Sequence, residues 1–255
     1  MGWLGFFRRR RLLRQPIPIH WYPWIDAYRP DVLALPSHLR EEVLRRAFVM
    51  VAEKHWEGCG GMQVTEEHQV AIALQAGRVA ACFPDEYFPE VLSILVYADA
   101  YVARTQQPIG GGLYIQQETP RSGEAWYRGP VIIAWNELAS ELRRSWPPRN
   151  VVIHEFAHLL DMRQGGQADG MPGLPSRELQ SRWAETMPAS WRELQHKCES
   201  GEPDVLDCYA ATSLAEFFAV ASELYFESPH TLRDTWPIVF ENLNAFYRAH
   251  PSSLP

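Results

Sequence analysis

The segment VVIHEFAHLLDM, Val151 to Met162, is apolar on nearly every side. A helix carrying Val151, Val152, Ile153, Phe156, Ala157, Leu159 and Leu160 cannot hide them all against one neighbour, so the fold must surround it. Asn150, just before it, can cap its first turn. Inside this apolar cylinder stand His154, Glu155 and His158, and buried polar groups need partners. Residues four apart on a helix share a face at about 6 Å, so the two imidazoles can aim at one divalent cation. Zinc takes neutral histidine nitrogens at about 2.0–2.1 Å and keeps a position open for water in a catalytic site. Glu155 is turned about 100° from His154, off the metal but beside that water, where a carboxylate can act as general base. The competing reading is a core helix with two partly exposed histidines, and it leaves the polar groups without partners.

A third ligand must come from another element. The extended metzincin pattern would need Gly at 161 and His at 164, where the chain has Asp161 and Gln164, so that class is excluded. Asp161 is two helical turns from His154, roughly 10 Å along the axis. It is too far to share the ion, and it reads either as a support for a ligand histidine or as a polar helix end. A second apolar stretch, SLAEFFAVASELYF, embeds Glu216 and Glu223 seven residues apart on one face. Either can ligate while the other supports. His230 follows Pro229 and reads as an exposed loop residue.

The rest of the chain reads as a globular domain. It has 255 residues, 46% hydrophobic and 22% charged, enough for one continuous core. A net charge of -7 argues against nucleic acid as a direct partner. No run approaches the roughly 18 apolar residues of a membrane span. The start, MGWLGFFRRRRLLRQP, has its basic residues after its apolar ones and so does not fit a secretory signal. It reads as a loose tail, with peripheral contact to an anionic membrane or a partner as the minority reading. Residues 1–30, rich in proline and aromatics, are expected to lie over the surface without regular structure, leaving 31–255 as a single domain. Cys59, Cys82, Cys198 and Cys208 form no Cys-x-x-Cys pair and read as reduced thiols in a cytoplasm.

Helical patterns are expected from a Ser37 N-cap through Trp56, from Thr65 to Cys82, over 176–199 with a break or kink at Pro188, from Ser213, and over 237–249. LSILVY, GLYIQQE and PVIIAW read as strands, the last with Pro130 at an edge or a strand's first position, and 165–175 reads as a loop. The fold class is α+β, mostly helical, with a small mixed β-sheet beside the histidine-bearing helix.

VVIHEFAHLLDM, DCYAATSLAEFFAVASELYF and GEAWYRGPVIIAWNEL together resemble the Mlc titration factor A family of bacterial metallopeptidases, over about Leu35 to Tyr247. The resemblance implies a zincin-like, gluzincin-type domain related to the catalytic domain of anthrax lethal factor. It implies one Zn2+ per chain held by His154, His158 and Glu216, with Glu155 as base and Tyr209 as the active-site tyrosine. The thermolysin-type Glu-x-x-x-Asp pattern is missing, because Val220 follows Glu216 at the fourth position. A tyrosine there can donate a hydrogen bond to a developing oxyanion, where in isolation it would read as packing. GPVIIAW is expected to pair an extended peptide substrate along a strand edge. The implied activity is weak and aminopeptidase-like. The implied partner is a DNA-binding Mlc-type repressor of sugar-uptake genes, and the alternative function is sequestration of that repressor with proteolysis accessory.

Overall fold

The computed structural model describes residues 3–110, 113–121, 123–125, 129–144, 147–164 and 166–247. Helix α1 (Trp3–Leu12) is followed by a 3-10 turn, Ile19–Trp21, then α2 (Tyr22–Tyr28), α3 (Pro30–Ala34) and α4 (Ser37–Glu53). The expectation that residues 1–30 lack regular structure is thereby corrected. Pro23 and Pro30 fall in the first turns of α2 and α3, where a missing N–H is no loss and the fixed φ suits a helix. The prolines start helices instead of preventing them. Trp21, Ile25 and Val32 are buried in the same core as the rest of the molecule, and the Trp21 indole donates to Glu66 at 2.8 Å.

Ser37 is the first residue of α4, and its side chain makes no capping bond. The helix ends earlier than its periodicity suggests. Lys54 turns extended, and β1 (His55–Cys59) occupies the segment read as helix through Trp56. Pairing makes this strand, since HWEGC has no alternation of its own and half-exposed or exposed positions throughout. Helix α5 (Glu66–Ala80) is opened by a capping box between Thr65 and His68. Then come β2 (Ser93–Tyr97), an antiparallel hairpin of β3 (Tyr101–Gly110) and β4 (Leu113–Arg121), β5 (Gly123–Ala125) and β6 (Val131–Ala134).

The main sheet has the order β1-β2-β6-β5, with β1, β2 and β6 parallel and β5 antiparallel to β6. Ile94 faces Val131 and Val96 faces Ile133 in register, and these four alternate residues are fully buried. Because β6 has a neighbour on each side, it is not the edge strand expected of GPVIIAW. Pro130 precedes its first residue, a position that asks no N–H of it.

Helix α6 (Trp135–Glu141) leads to α7 (Val151–Met162), which packs against α5, α6, β5 and β6 and against the later helix α9 (Leu214–Glu227). Between them, α8 (Arg177–Ser200) starts at a Ser176 cap and stops at Gly201, whose φ of +69° closes the helix. It runs unbroken through Pro188, because Leu179, Trp183, Met187 and Leu194 bury one face on both sides of the proline. A 3-10 helix, Cys208–Ala211, precedes α9, and α10 (Pro229–Thr235) and α11 (Pro237–Tyr247) complete the chain as described. Cys198 and Cys208 form a disulfide, Cα atoms 5.8 Å apart, which corrects the reading of four reduced thiols. The turn at Gly201 doubles the chain back along the end of α8 and brings Cys208 beside Cys198, a proximity no Cys-x-x-Cys spacing announces. Cys59 and Cys82 carry no disulfide.

Candidate metal centre

Asn150 fixes where α7 begins. Its Oδ1 accepts the Ile153 N–H at 3.1 Å, and its own N–H donates to Glu223 at 2.7 Å. The apolar positions Val152, Ile153, Phe156, Ala157 and Leu159 are fully buried, which turns His154 and His158 toward a cleft. Opposite them, Ser213 caps α9 by accepting the Glu216 N–H, so Glu216 stands in the first turn of its helix.

The two helices bring three ligand atoms together. Nε2 of His154 is 3.1 Å from Nε2 of His158, and Oε2 of Glu216 is 3.1 Å and 3.3 Å from those two nitrogens. Tetrahedral bonds of about 2.0–2.1 Å separate neighbouring ligand atoms by about 3.3–3.4 Å, so this spacing fits a small divalent ion. Oε2 of Glu216 is buried and makes no well-directed hydrogen bond. His154 Nδ1 is 2.8 Å from Glu223, whose carboxylate can accept the Nδ1–H and so hold the tautomer that leaves Nε2 free to ligate. Of the two carboxylates the sequence left open, Glu216 enters the cluster and Glu223 supports it from behind.

The electrostatics point the same way. Burial pulls His154 down, but Glu216 and Glu223 outweigh it and hold the imidazole well above its ordinary range. Burial pushes Glu216 up, yet the two histidines win and hold its carboxyl far below the usual carboxylate range. The cluster calls for positive charge at its centre, and a cation among its donors would supply it. Glu155, on the same helix, is pushed up to about 8, chiefly by burial, with Glu216, Glu124 and Glu223 adding to the effect and His154 opposing it.

Gly123 of β5 explains how Glu155 is held. A Cβ there would come within 2.5 Å of Glu155 Oε1 and 2.7 Å of Val151 Cγ2, so the strand's closeness to α7 requires glycine. Tyr209 is the second residue of the 3-10 helix, its N–H accepted by Asp207, and its ring centroid is 6.1 Å from that of His154. The side chain is half exposed on the wall of the same cleft, about 830 Å³ in volume. Glu141 also lines the cleft. It accepts the Val151 N–H at 2.8 Å and is pushed up to about 7, mainly by burial.

Two other candidates are placed elsewhere. Asp161 accepts the Gly170 N–H at 2.7 Å and so ties the following loop to α7. No hydrogen bond joins it to His158, although His158 Nδ1 and Asp161 Oδ1 are both buried without a partner. His230 lies in α10 instead of a loop, exposed and bonded to Arg233, outside the cluster. Sequence reasoning missed Gly123 and Glu141. Only the glycine in SGEAW left a signal, since glycine inside a strand marks a close approach.

The comparisons with known proteins agree with this geometry. The family described as glucose-regulated metallo-peptidase M90 matches residues 4–248, so the likeness includes the N-terminal helices and is not confined to Leu35–Tyr247. An uncharacterized protein of Synechocystis sp. is 32% identical over 250 residues, covering 98% of this chain and 90% of its own. Mlc titration factor A of Serratia proteamaculans is 31% identical over 229 residues, covering 87% and 86%. That of Klebsiella pneumoniae is 30% identical over 232 residues, covering 90% and 86%. Two histidines of a buried helix and a glutamate of a second helix could hold a metal ion, and the chain belongs to the M90 metallopeptidase family, together with the Mlc titration factor A proteins.

Proposed function

We propose that this protein is a zinc-dependent, gluzincin-type peptidase with one Zn2+ per chain, held by His154, His158 and Glu216. The carrying observation is the convergence of three ligand atoms at 3.1–3.3 Å beside a buried carboxylate and a tyrosine. Zinc at this point supplies Lewis acidity toward a peptide carbonyl and toward water. Glu155 takes the proton of the attacking water and delivers it to the leaving amine. The Tyr209 hydroxyl donates to the oxyanion, acting only where charge develops. The substrate strand lies along β5, which borders the cleft at Gly123–Ala125, in place of β6.

The groups of this chemistry all fall within residues 31–255, the proposed catalytic domain. Residues 1–30 supply no group of this chemistry and contribute packing and the Arg29 contact to Glu227. Preference for a free amino terminus, as in an aminopeptidase, is part of the proposal. So is residence in the cytoplasm, which thiol counting on rapidly alkylated cells tests, because the Cys198–Cys208 bond is uncommon there. No helix among the described residues is long and apolar enough to cross a membrane.

Metal analysis and one variant test the reading. Purified protein is expected to hold one equivalent of zinc, lost in His154→Ala and Glu216→Ala, while Glu155→Gln keeps zinc and loses peptide hydrolysis by at least about 100-fold. Metal-free wild type, or full turnover in Glu155→Gln, would reject it. The relatives' name, Mlc titration factor A, favours a second duty, capture of an Mlc-type repressor. Repressor binding that persists in Glu155→Gln would establish that duty as independent of hydrolysis.

A further inference from the structure

The proposed chemistry makes no use of the run Arg8 to Arg11, and α1 divides that run in two. Arg8 donates to the Ala52 carbonyl at 2.8 Å, and Arg9 pairs with Glu53 and lies 4.3 Å from the centre of the Tyr87 ring. These two clamp α1 against the end of α4. Arg10 and Arg11 point away from that contact. With Phe7 they occupy positions i, i+3 and i+4 on one face of α1, and Arg14, in the turn that follows the helix, lines the same side. The four residues, joined by Gln15, line a single shallow concavity that shares no residue with the metal cleft.

All four are exposed, Phe7 by 58%. Among the described residues no carboxylate pairs with Arg10, Arg11 or Arg14, in contrast to Arg9. The face is also the counterpoint to the rest of the molecule. The chain carries -7 overall, and without the five arginines between positions 8 and 14 it would carry -12. Such a concentration of one sign on one helix face is an electrostatic footprint.

We propose that this face of α1, with the turn after it, docks the protein on an anionic lipid bilayer. Arg10, Arg11 and Arg14 engage headgroup phosphates and carboxylates, for which the planar guanidinium is suited. Phe7, set among them, enters the boundary between headgroups and acyl chains, as aromatic residues of interfacial helices do. That ring favours a bilayer over nucleic acid, because a phosphate backbone offers it nothing apolar. Three arginines at about fivefold each amount to about 100-fold in partition.

Sedimentation of the full-length protein with vesicles tests this. Binding is expected to vesicles with about 30% phosphatidylserine, to be negligible on phosphatidylcholine alone, and to fall with added salt. The variant Arg10→Glu/Arg11→Glu/Arg14→Glu should lose about 100-fold of that binding with an unchanged circular dichroism spectrum, and Phe7→Ala should lose a smaller part. Equal binding to neutral vesicles, or undiminished binding by the triple variant, would overturn the proposal. Tighter binding of short duplex DNA than of vesicles would also overturn it, as would full competition by millimolar inorganic phosphate at constant ionic strength, which would mark a free-anion site.

Discussion

Gly123 and Glu223 show how little of a site's accuracy lies in its ligands. Gly123 leaves room for the Glu155 carboxylate, and a methyl group there would overlap Oε1 at 2.5 Å. Gly123→Ala is therefore expected to keep stoichiometric metal and lose about 10- to 100-fold in turnover, checked by metal content beside peptide hydrolysis, since a displacement near 1 Å costs on that order. Glu223 acts on the other side, fixing the His154 ring through Nδ1. Glu223→Ala is expected to weaken metal binding by about 10- to 100-fold in a chelator competition. Both residues also mark the limit of sequence reading. His154, His158 and Glu155 announce themselves by spacing, because a helix converts spacing directly into direction. Gly123 is 31 positions ahead of His154, and only the sheet's position against α7 gives it a role.

Among the elements, helices with apolar faces were the most legible. The starts of α5 at Thr65, α7 at Asn150 and α9 at Ser213 follow from capping chemistry written in two or three adjacent residues. Strand β1 was not legible, since its pairing to β2 depends on a partner some 38 residues further on. The short helices before Ser37 were hidden by prolines whose effect depends on position within a turn. The 3-10 helix carrying Tyr209 is held by another nonlocal device, the Cys198–Cys208 bond to the end of α8. Reduction should lower stability by about 2–3 kcal/mol, the entropy of a loop of this length, and should impair hydrolysis by letting Tyr209 wander. Thermal melting and peptide turnover with and without reductant check this, and Cys198→Ser should reproduce the reduced behaviour.

Across the whole molecule, one buried network joins segments that share no local sequence logic. Glu227 at the end of α9 accepts from Arg29 at 2.7 and 2.8 Å, from Arg78 at 2.7 Å and from the Asn150 amide at 2.9 Å. Burial alone would raise Glu227, but the two guanidinium groups prevail and bring it down to about 2. Lowered in this way from an ordinary value of about 4.5, it contributes stability that is complete above pH 4.5 and disappears as pH falls toward 2, on the order of 3 kcal/mol. Urea unfolding at neutral pH and near pH 3 is expected to show that loss, and Glu227→Gln to flatten it. The fold class was open to sequence reading because it rests on long periodic segments, and the family likeness because it rests on the motif segments around His154 and Glu216. The place of the first thirty residues was not, since Arg29 meets Glu227 only after the chain has closed on itself.

The Asn150 amide has a practical consequence for anyone who wants the hydrolytic centre in a smaller package. It hangs from the same carboxylate that Arg29 grips, so a gene trimmed to begin at Asp31 would delete one anchor of the very turn that launches the two histidines. Grafts and shortened versions of this enzyme should therefore carry the opening helices with them, or replace that guanidinium by another cation placed to meet Glu227.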